Sequence, residues 1–382
     1  MKVSLKNLVW FTYLFTALYS YTKLTEIVSF LSITKYIQLG LIAILLISTT
    51  IRQSISTKSL FLMIILLGAA IVELSIIGDV TVVFYIVFIF CTKNLDCDEF
   101  IKTDMLFKCG FILAVTSVCL IGLIENYTMV RPDGSLRYAM GFNHPNSFAG
   151  IVISVLLEWM CMKIQKTIRF RHVVWIVLMV AIVDWLTNSR TFELSMIITL
   201  ILTYVFIKAK NSKLINAVFI GMPFFLSILS FGIVLLYDRS NSNWVMIDTF
   251  VSNRISFAQN FIMEYKLQLW GQNLNLVGSI QALITSENTH ILDMGYLRFV
   301  LQYGLIFSIL LIAIIMIDMS YAMKKKNVTM IVLLTFLCVS AVFESTLGNP
   351  IYNYIIPIVT TGVLSNMKKD RSLRKESRNL EC

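Results

Sequence analysis

The sequence predicts an all-α fold, a polytopic transmembrane helix bundle of about 12 spans with both chain ends cytoplasmic and one long helical loop outside. Three observations carry that expectation. The 382 residues are 57% hydrophobic and only 14% charged, whereas an ordinary soluble domain is about 25% charged. The apolar residues fall in blocks of roughly 15–23, long or nearly long enough to cross a ~30 Å hydrocarbon core. The lysines and arginines are divided unevenly between alternate connections, which selects one orientation. Backbone groups in lipid have no water to bond, so each block is expected to be a helix.

The expected spans lie near 7–22, 33–51, 59–77, 79–92, 104–124, 146–162, 172–187, 190–207, 214–236, 295–317, 328–344 and 351–366, one integral membrane domain over 1–382. The first apolar block, Leu8 to Tyr21, has no small-residue cleavage site behind it. It therefore reads as a span and not as a cleaved signal. With that orientation the cytoplasmic connections hold 22 of the 32 basic residues and the outer ones hold nine, with Lys108 inside a span. The basic tail, 367–382, fits lipid-headgroup contact on the cytoplasmic side. The net charge of +10 is thus a topological signal, and no nucleic-acid partner is expected.

The connection 237–294 is about 58 residues long, against a median loop of ~4–6. Within it Ile247, Val251, Ile255, Ala258, Ile262, Tyr265 and Leu269 recur at three- and four-residue steps. That is one apolar helical stripe, and it predicts an amphipathic helix lying on the outer mouth of the bundle.

The two sides differ in which cation they use. Sixteen of the inner basic residues are lysine and six arginine; outside, six are arginine and three lysine. Arginine's planar, permanently charged fork suits bidentate phosphate or carboxylate binding, so the outer face is expected to meet a phosphorylated or acidic substrate. Arg190, in Asn188-Ser189-Arg190-Thr191, starts the eighth span, where a helix N-terminus and a guanidinium together form an anion site. Pairing with Glu193 is its structural reading. The segment from Arg137 to Asn146 leads into the sixth span, with Asn146 or Ser147 as the expected helix cap. Asn143, His144 and Asn146 are polar groups at the membrane mouth, suited to hydroxyl-rich ligands. In the third cluster, Thr289 to Tyr296, a helix starting near 290 puts His290 and Asp293 one turn apart on one face. A carboxylate beside a histidine is a general-base arrangement.

Other chemistries lack their patterns. The cysteines, Cys91, Cys97, Cys109, Cys119, Cys161, Cys338 and Cys382, avoid the long loop and form no disulfide or zinc spacing. No Asp-x-Asp or Glu-x-x-His faces outward, and no Walker or glycine-rich nucleotide loop occurs, so neither metal nor cofactor is expected.

Taken in order, these clusters resemble the O-antigen polymerase/ligase superfamily of bacterial envelope glycosyltransferases. Gly141-Phe142-Asn143-His144-Pro145-Asn146 is similar to that family's glycine-to-Pro-Asn lead into a mid-chain helix. Ser189-Arg190-Thr191 is similar to its Ser-Arg pair after the next span. Arg254, followed by Leu269-Trp270-Gly271, resembles its loop arginine and downstream Leu-x-Gly element. Asp293-Met294-Gly295-Tyr296-Leu297, with Tyr303-Gly304-Leu305-Ile306 behind, resembles its final signature. The likeness covers about residues 137–307. The chain departs from it at Asp293, where the ligases carry histidine, at Gln268 in place of proline, and at Gln302-Tyr303, where an acidic residue is usual.

The resemblance implies a GT-C-like fold in the cytoplasmic membrane, with the active site facing outside. It implies a metal-independent, inverting polymerase of capsule, exopolysaccharide or O-antigen repeat units carried on undecaprenyl diphosphate. Flippase and chain-length regulator proteins would be its partners. On this reading Arg190 and Arg254, with Arg137 third, hold the diphosphate; Asn143, His144, Asn146 and Tyr296 contact glycan; and Asp293 or His290 is the base. A ligase of the same superfamily and a flippase are the rivals, and a flippase is disfavoured by the lack of pseudo-repeated halves.

Overall fold

The computed structural model describes residues 5–27, 31–52, 57–91, 97–131, 134–164, 170–209, 212–278 and 289–352. The expected twelfth span, apart from Ile351 and Tyr352, and the basic tail lie outside these residues. The elements, in order, are α1 (Leu5–Ser20), α2 (Leu24–Ile27), α3 (Leu31–Arg52), α4 (Thr57–Ile77), α5 (Thr81–Cys91), α6 (Cys97–Leu120), β1 (Thr128–Val130), β2 (Leu136–Tyr138), α7 (Pro145–Ile164), α8 (Phe170–Thr187), α9 (Arg190–Ala209), α10 (Lys213–Leu236), α11 (Ser242–Phe250), α12 (Arg254–Glu264), α13 (Gly295–Lys325) and α14 (Val328–Ser340). Among the described residues six helices are long and apolar enough to cross a membrane, and Ile33–Ser48, Thr81–Phe90 and Val328–Ser340 are shorter apolar helices. The protein is a mostly helical chain of the membrane class.

The helices form where apolar runs leave the backbone no other way to satisfy itself in lipid. Phe61, Ile64 and Ile71 on α4, and Phe225, Ile228 and Leu235 on α10, are exposed. In water they would form apolar patches larger than soluble monomers carry; against acyl chains they are solvated. α14 is the opposite case. Every residue from Thr329 to Ser340 is buried, because the helix lies among α7, α9, α10 and α13. A helix apolar all round belongs in such a place.

The long loop departs from the sequence expectation. Its described residues hold two helices, α11 and α12, not one continuous stripe. Ser252 and Asn253 between them take φ of 64° and 60°, and buried Asp248 accepts the backbone N–H groups of Ile255 and Ser256 at 2.8 and 3.2 Å. That carboxylate satisfies free donors at the start of α12 and sets the break. Val251, Ile255, Ala258 and Phe261 are buried, whereas Ile247 and Leu269 of the expected stripe are exposed.

α13 is also broken. Gly304 has φ 78° and ψ 171°, a region open essentially to glycine alone. The loop fills the break: Leu305 N–H donates to Gln268 O at 3.0 Å, Ile306 N–H to Leu269 O at 3.2 Å and Gln272 N–H to Gln302 O at 3.1 Å. A Cβ on Gly304 would stand 2.5 Å from Leu269 O. Gly271 N–H in turn reaches Glu73 on α4 at 3.2 Å. Leu269-Trp270-Gly271 and Tyr303-Gly304-Leu305-Ile306, which are separate motifs in the sequence, interlock here and fix the short N-terminal piece of α13 that carries Arg298.

Candidate functional site

The polar groups singled out in the sequence gather at the end of the bundle that carries the long loop. β1 and β2 pair antiparallel, Met129 opposite Arg137, and this hairpin points two arginines at the end of α8. Arg131 Nη2 donates to Asn188 O at 2.7 Å and Arg137 Nε to Thr187 O at 2.6 Å. The last carbonyls of a helix have no intrahelical donor and carry partial negative charge, so both guanidiniums cap α8. Arg137 Nη2 also donates to Asn146 Oδ1. Arg137 is buried, and burial, with Arg131 and Arg254 nearby, lowers its pKa to about 10. Arg190 Nε donates to Asn188 Oδ1 at 3.2 Å at the start of α9. Glu193 is hydrogen-bonded to Asp184.

Arg254 is the centre of a second set. Its side chain is 4% exposed; Nη1 meets Glu344 Oε1 at 2.6 Å and Nη2 meets Asp293 Oδ2 at 3.4 Å. Nη1 also donates to Phe343 O, and Thr191 Oγ1 donates to Glu344. One cation therefore joins α12, the segment before α13, the turn after α14 and, through Thr191, α9. A buried carboxylate needs such compensation.

The expected cap of α7 is corrected. Pro145 takes the first helical position, which its missing N–H suits. Asn146 N–H donates to His144 Nδ1 at 3.0 Å, so His144 is the cap and Asn146 turns its side chain to Arg137. Asn143 Nδ2 donates to Ser20 O at 3.0 Å, tying the segment to the end of α1. Burial first, and then Arg137, lower the His144 pKa to about 4. His144 thus accepts a hydrogen bond as neutral imidazole. Between pH 4 and 6.5 the unfolded chain binds a proton here that the folded chain does not. Stability should therefore rise with pH through that window, by at most about 1.4 kcal/mol per unit, and be fully present above it. Melting temperatures recorded from pH 4 to 7 should show this slope, and it should flatten in His144→Asn.

The His290–Asp293 pair is corrected as well. α13 begins at Gly295, and His290 sits in a bridge with Val277, its N–H on Val277 O at 2.9 Å. With extended backbone at 290 the two side chains no longer share a helix face. His290 instead meets Glu264 at 3.0 Å, bonds Asn275 O through Nδ1 at 2.5 Å and stacks on Phe261 with centroids 4.1 Å apart. It fastens the loop; Asp293 faces Arg254. Tyr296 is buried and donates to Cys338 O at 3.1 Å, a packing role.

A cavity of about 270 Å³ opens among these groups, lined by Tyr21, His144, Asn146, Asp293, Arg298, Glu344 and Asn349, among others. Arg137, Arg190 and Arg254 do not line it. The guanidinium in its wall is that of Arg298, in the first turn of α13, whose Nε donates to Gln302 Oε1 at 3.2 Å. Glu344 and Arg298 are the functional candidates that sequence reasoning passed over. Glu344 stood at the end of an apolar run, where an acidic residue is costly enough to be a signal in itself. Among the described residues no three His, Cys, Asp or Glu side chains converge as metal ligands. Chemically, the wall offers a cation for an anionic group, carboxylates able to take a proton, and amide and hydroxyl groups for a polar ligand. Comparison of the chain with protein-family models, curated proteins and solved structures returns no match.

Proposed function

We propose that this protein is a polysaccharide polymerase of the O-antigen polymerase/ligase type, joining oligosaccharide repeat units carried on undecaprenyl diphosphate at the outer face of the cytoplasmic membrane. On this reading the twelve-span, GT-C-like topology with cytoplasmic ends holds, and the loop end of the bundle is the outer end. The observation that carries the reading is Arg298 and Asp293 together in the wall of one polar cavity at the mouth of an apolar helical bundle.

The geometry reassigns the roles within that reading. Arg137 and Arg254 are committed to protein acceptors and position Asn146, Asp293 and Glu344. Arg298, whose side chain lines the cavity, meets the diphosphate at the N-terminal turn of α13, where the helix dipole favours negative charge. Asp293 takes the proton of the acceptor hydroxyl as its oxygen bonds the anomeric carbon. The bond from that carbon to the diphosphate breaks, and undecaprenyl diphosphate leaves with the electron pair. Removing one such charge-stabilising donor typically costs about 10²–10³ in rate, and removing a general base about 10²–10⁴.

The test uses purified protein in nanodiscs supplied with lipid-linked repeat units. Polymer formation should fall by about 10²–10³ in Arg298→Ala with the melting temperature held, while His290→Gln keeps the reaction. Wild-type polymer from Arg298→Ala would reject that role. Wild-type protein that makes no polymer would reject the reaction.

A further inference from the structure

A second cavity, of about 240 Å³, adjoins the first. Tyr21, Arg298, Ser345 and Asn349 line both. Its other walls come from α1, α3, the start of α5 and the N-terminal piece of α13, through residues such as Tyr13, Gln38, Asp79 and Tyr303.

The two compartments differ in chemistry. The first has His144, Asp293 and Glu344 in its wall, with the guanidinium of Arg254 buried against the two carboxylates. Among the described residues lining the second, Asp79 and Arg298 are the only charged side chains; the rest of the polar lining is hydroxyl and amide, interleaved with aromatic rings. These groups are held in place. Gln38 Nε2 donates to Thr16 Oγ1 at 3.0 Å. Asp79 accepts from Thr81 N–H and Oγ1 at 2.9 and 2.7 Å and from Tyr303 Oη at 2.5 Å. Tyr303 packs on Phe299 with ring centroids 4.7 Å apart. Together the two volumes fall in the ~300–1,000 Å³ range of small-ligand sites.

We infer that the second cavity is a sugar-ring site for a neutral stretch of glycan, whose anionic end lies at Arg298 where the compartments join. Neutral amides and hydroxyls match sugar hydroxyls one for one as donors and acceptors. Fixed tyrosine faces cover the apolar faces of the rings. A lipid tail would offer nothing to the donor and acceptor positions that these internal bonds leave over, at a cost in free energy. The inference rests on the proposed function for the identity of the glycan, not for the existence of the site.

The probes are the oligosaccharide released from its lipid by mild acid and, separately, undecaprenyl diphosphate, each titrated into the detergent-purified full chain. Gln38→Ala and Tyr303→Phe should each weaken oligosaccharide binding about three- to tenfold, the worth of one neutral hydrogen bond, and leave lipid-diphosphate binding unchanged. Arg298→Ala should weaken lipid-diphosphate binding. Two variants guard against a misfolded one, with melting temperature as the control. Unchanged oligosaccharide binding in both folded variants overturns the site, as does wild-type protein that binds the lipid and never the oligosaccharide. Sugar binding lost in the variants while wild-type protein makes no polymer upholds the site and rejects only the reaction.

Discussion

Arg254→Ala is expected to destabilise the protein by about 3–5 kcal/mol, the cost of removing one partner from a buried ion pair. The side chains of Arg254 and Glu344 are 4% and 8% exposed and meet at 2.6 Å. Without the guanidinium, Glu344 keeps, among the described residues, Thr191 as its side-chain donor, and Phe343 O loses its bond from Arg254. Asp293, more exposed, loses a longer contact of 3.4 Å and contributes less, because solvent screens it. Glu344→Gln removes the charge from the other side, so Arg254→Ala in that background should cost less than in wild type, with a coupling of about 1–3 kcal/mol. Chemical or thermal unfolding of the four proteins of this cycle measures it. Additive losses would mean that the two side chains do not hold each other. The result also separates two roles: an arginine that binds substrate alone would leave the melting temperature unchanged on removal, whereas this one joins α9, α12 and the turn after α14.

Much of the fold was legible in the sequence because lipid imposes a simple grammar. Runs such as Thr81 to Cys91 and Val328 to Ser340 are largely apolar, carry no charged residue and are helices in the structure. The loop was legible only in part. Its three- and four-residue apolar spacing continues through Ser252 and Asn253, and the break there is set by Asp248 accepting from Ile255 and Ser256, which no periodicity reveals. The candidate site was legible as a neighbourhood and not as a set of contacts. Arg137, Arg190, Arg254, His144 and Asp293 do gather at the loop end. Which of them face a cavity depends on partners distant in the chain, such as Arg137 with Thr187 and Arg254 with Glu344. Arg298, one more arginine on the expected outer side by composition, is distinguished only by the broken helix that holds it.

Lys108→Met is expected to be at least as damaging, about 3–5 kcal/mol or more, although it lies far along α6 from either cavity. Lys108 Nζ meets Asp104 Oδ2 and Glu158 Oε1, each at 2.7 Å, and all three side chains are 0% exposed. Trp10 Nε1 donates to Asp104 Oδ1 at 3.0 Å. The cluster thus joins α1, α6 and α7 through polar contacts inside an otherwise apolar bundle. Ionisable groups at such depth are expensive and survive by pairing. Removing only the cation leaves two carboxylates in a dry site, whereas replacing all three with apolar residues of similar volume removes both the attraction and the desolvation. Lys108→Met should therefore unfold at a lower temperature than the triple variant Lys108→Met, Asp104→Leu, Glu158→Leu. If the triple variant were the weaker of the two, the cluster would contribute net stability that an apolar replacement cannot supply. In the expected order, its contribution is to fix how α6 meets α7, since apolar surfaces alone would let those helices slide.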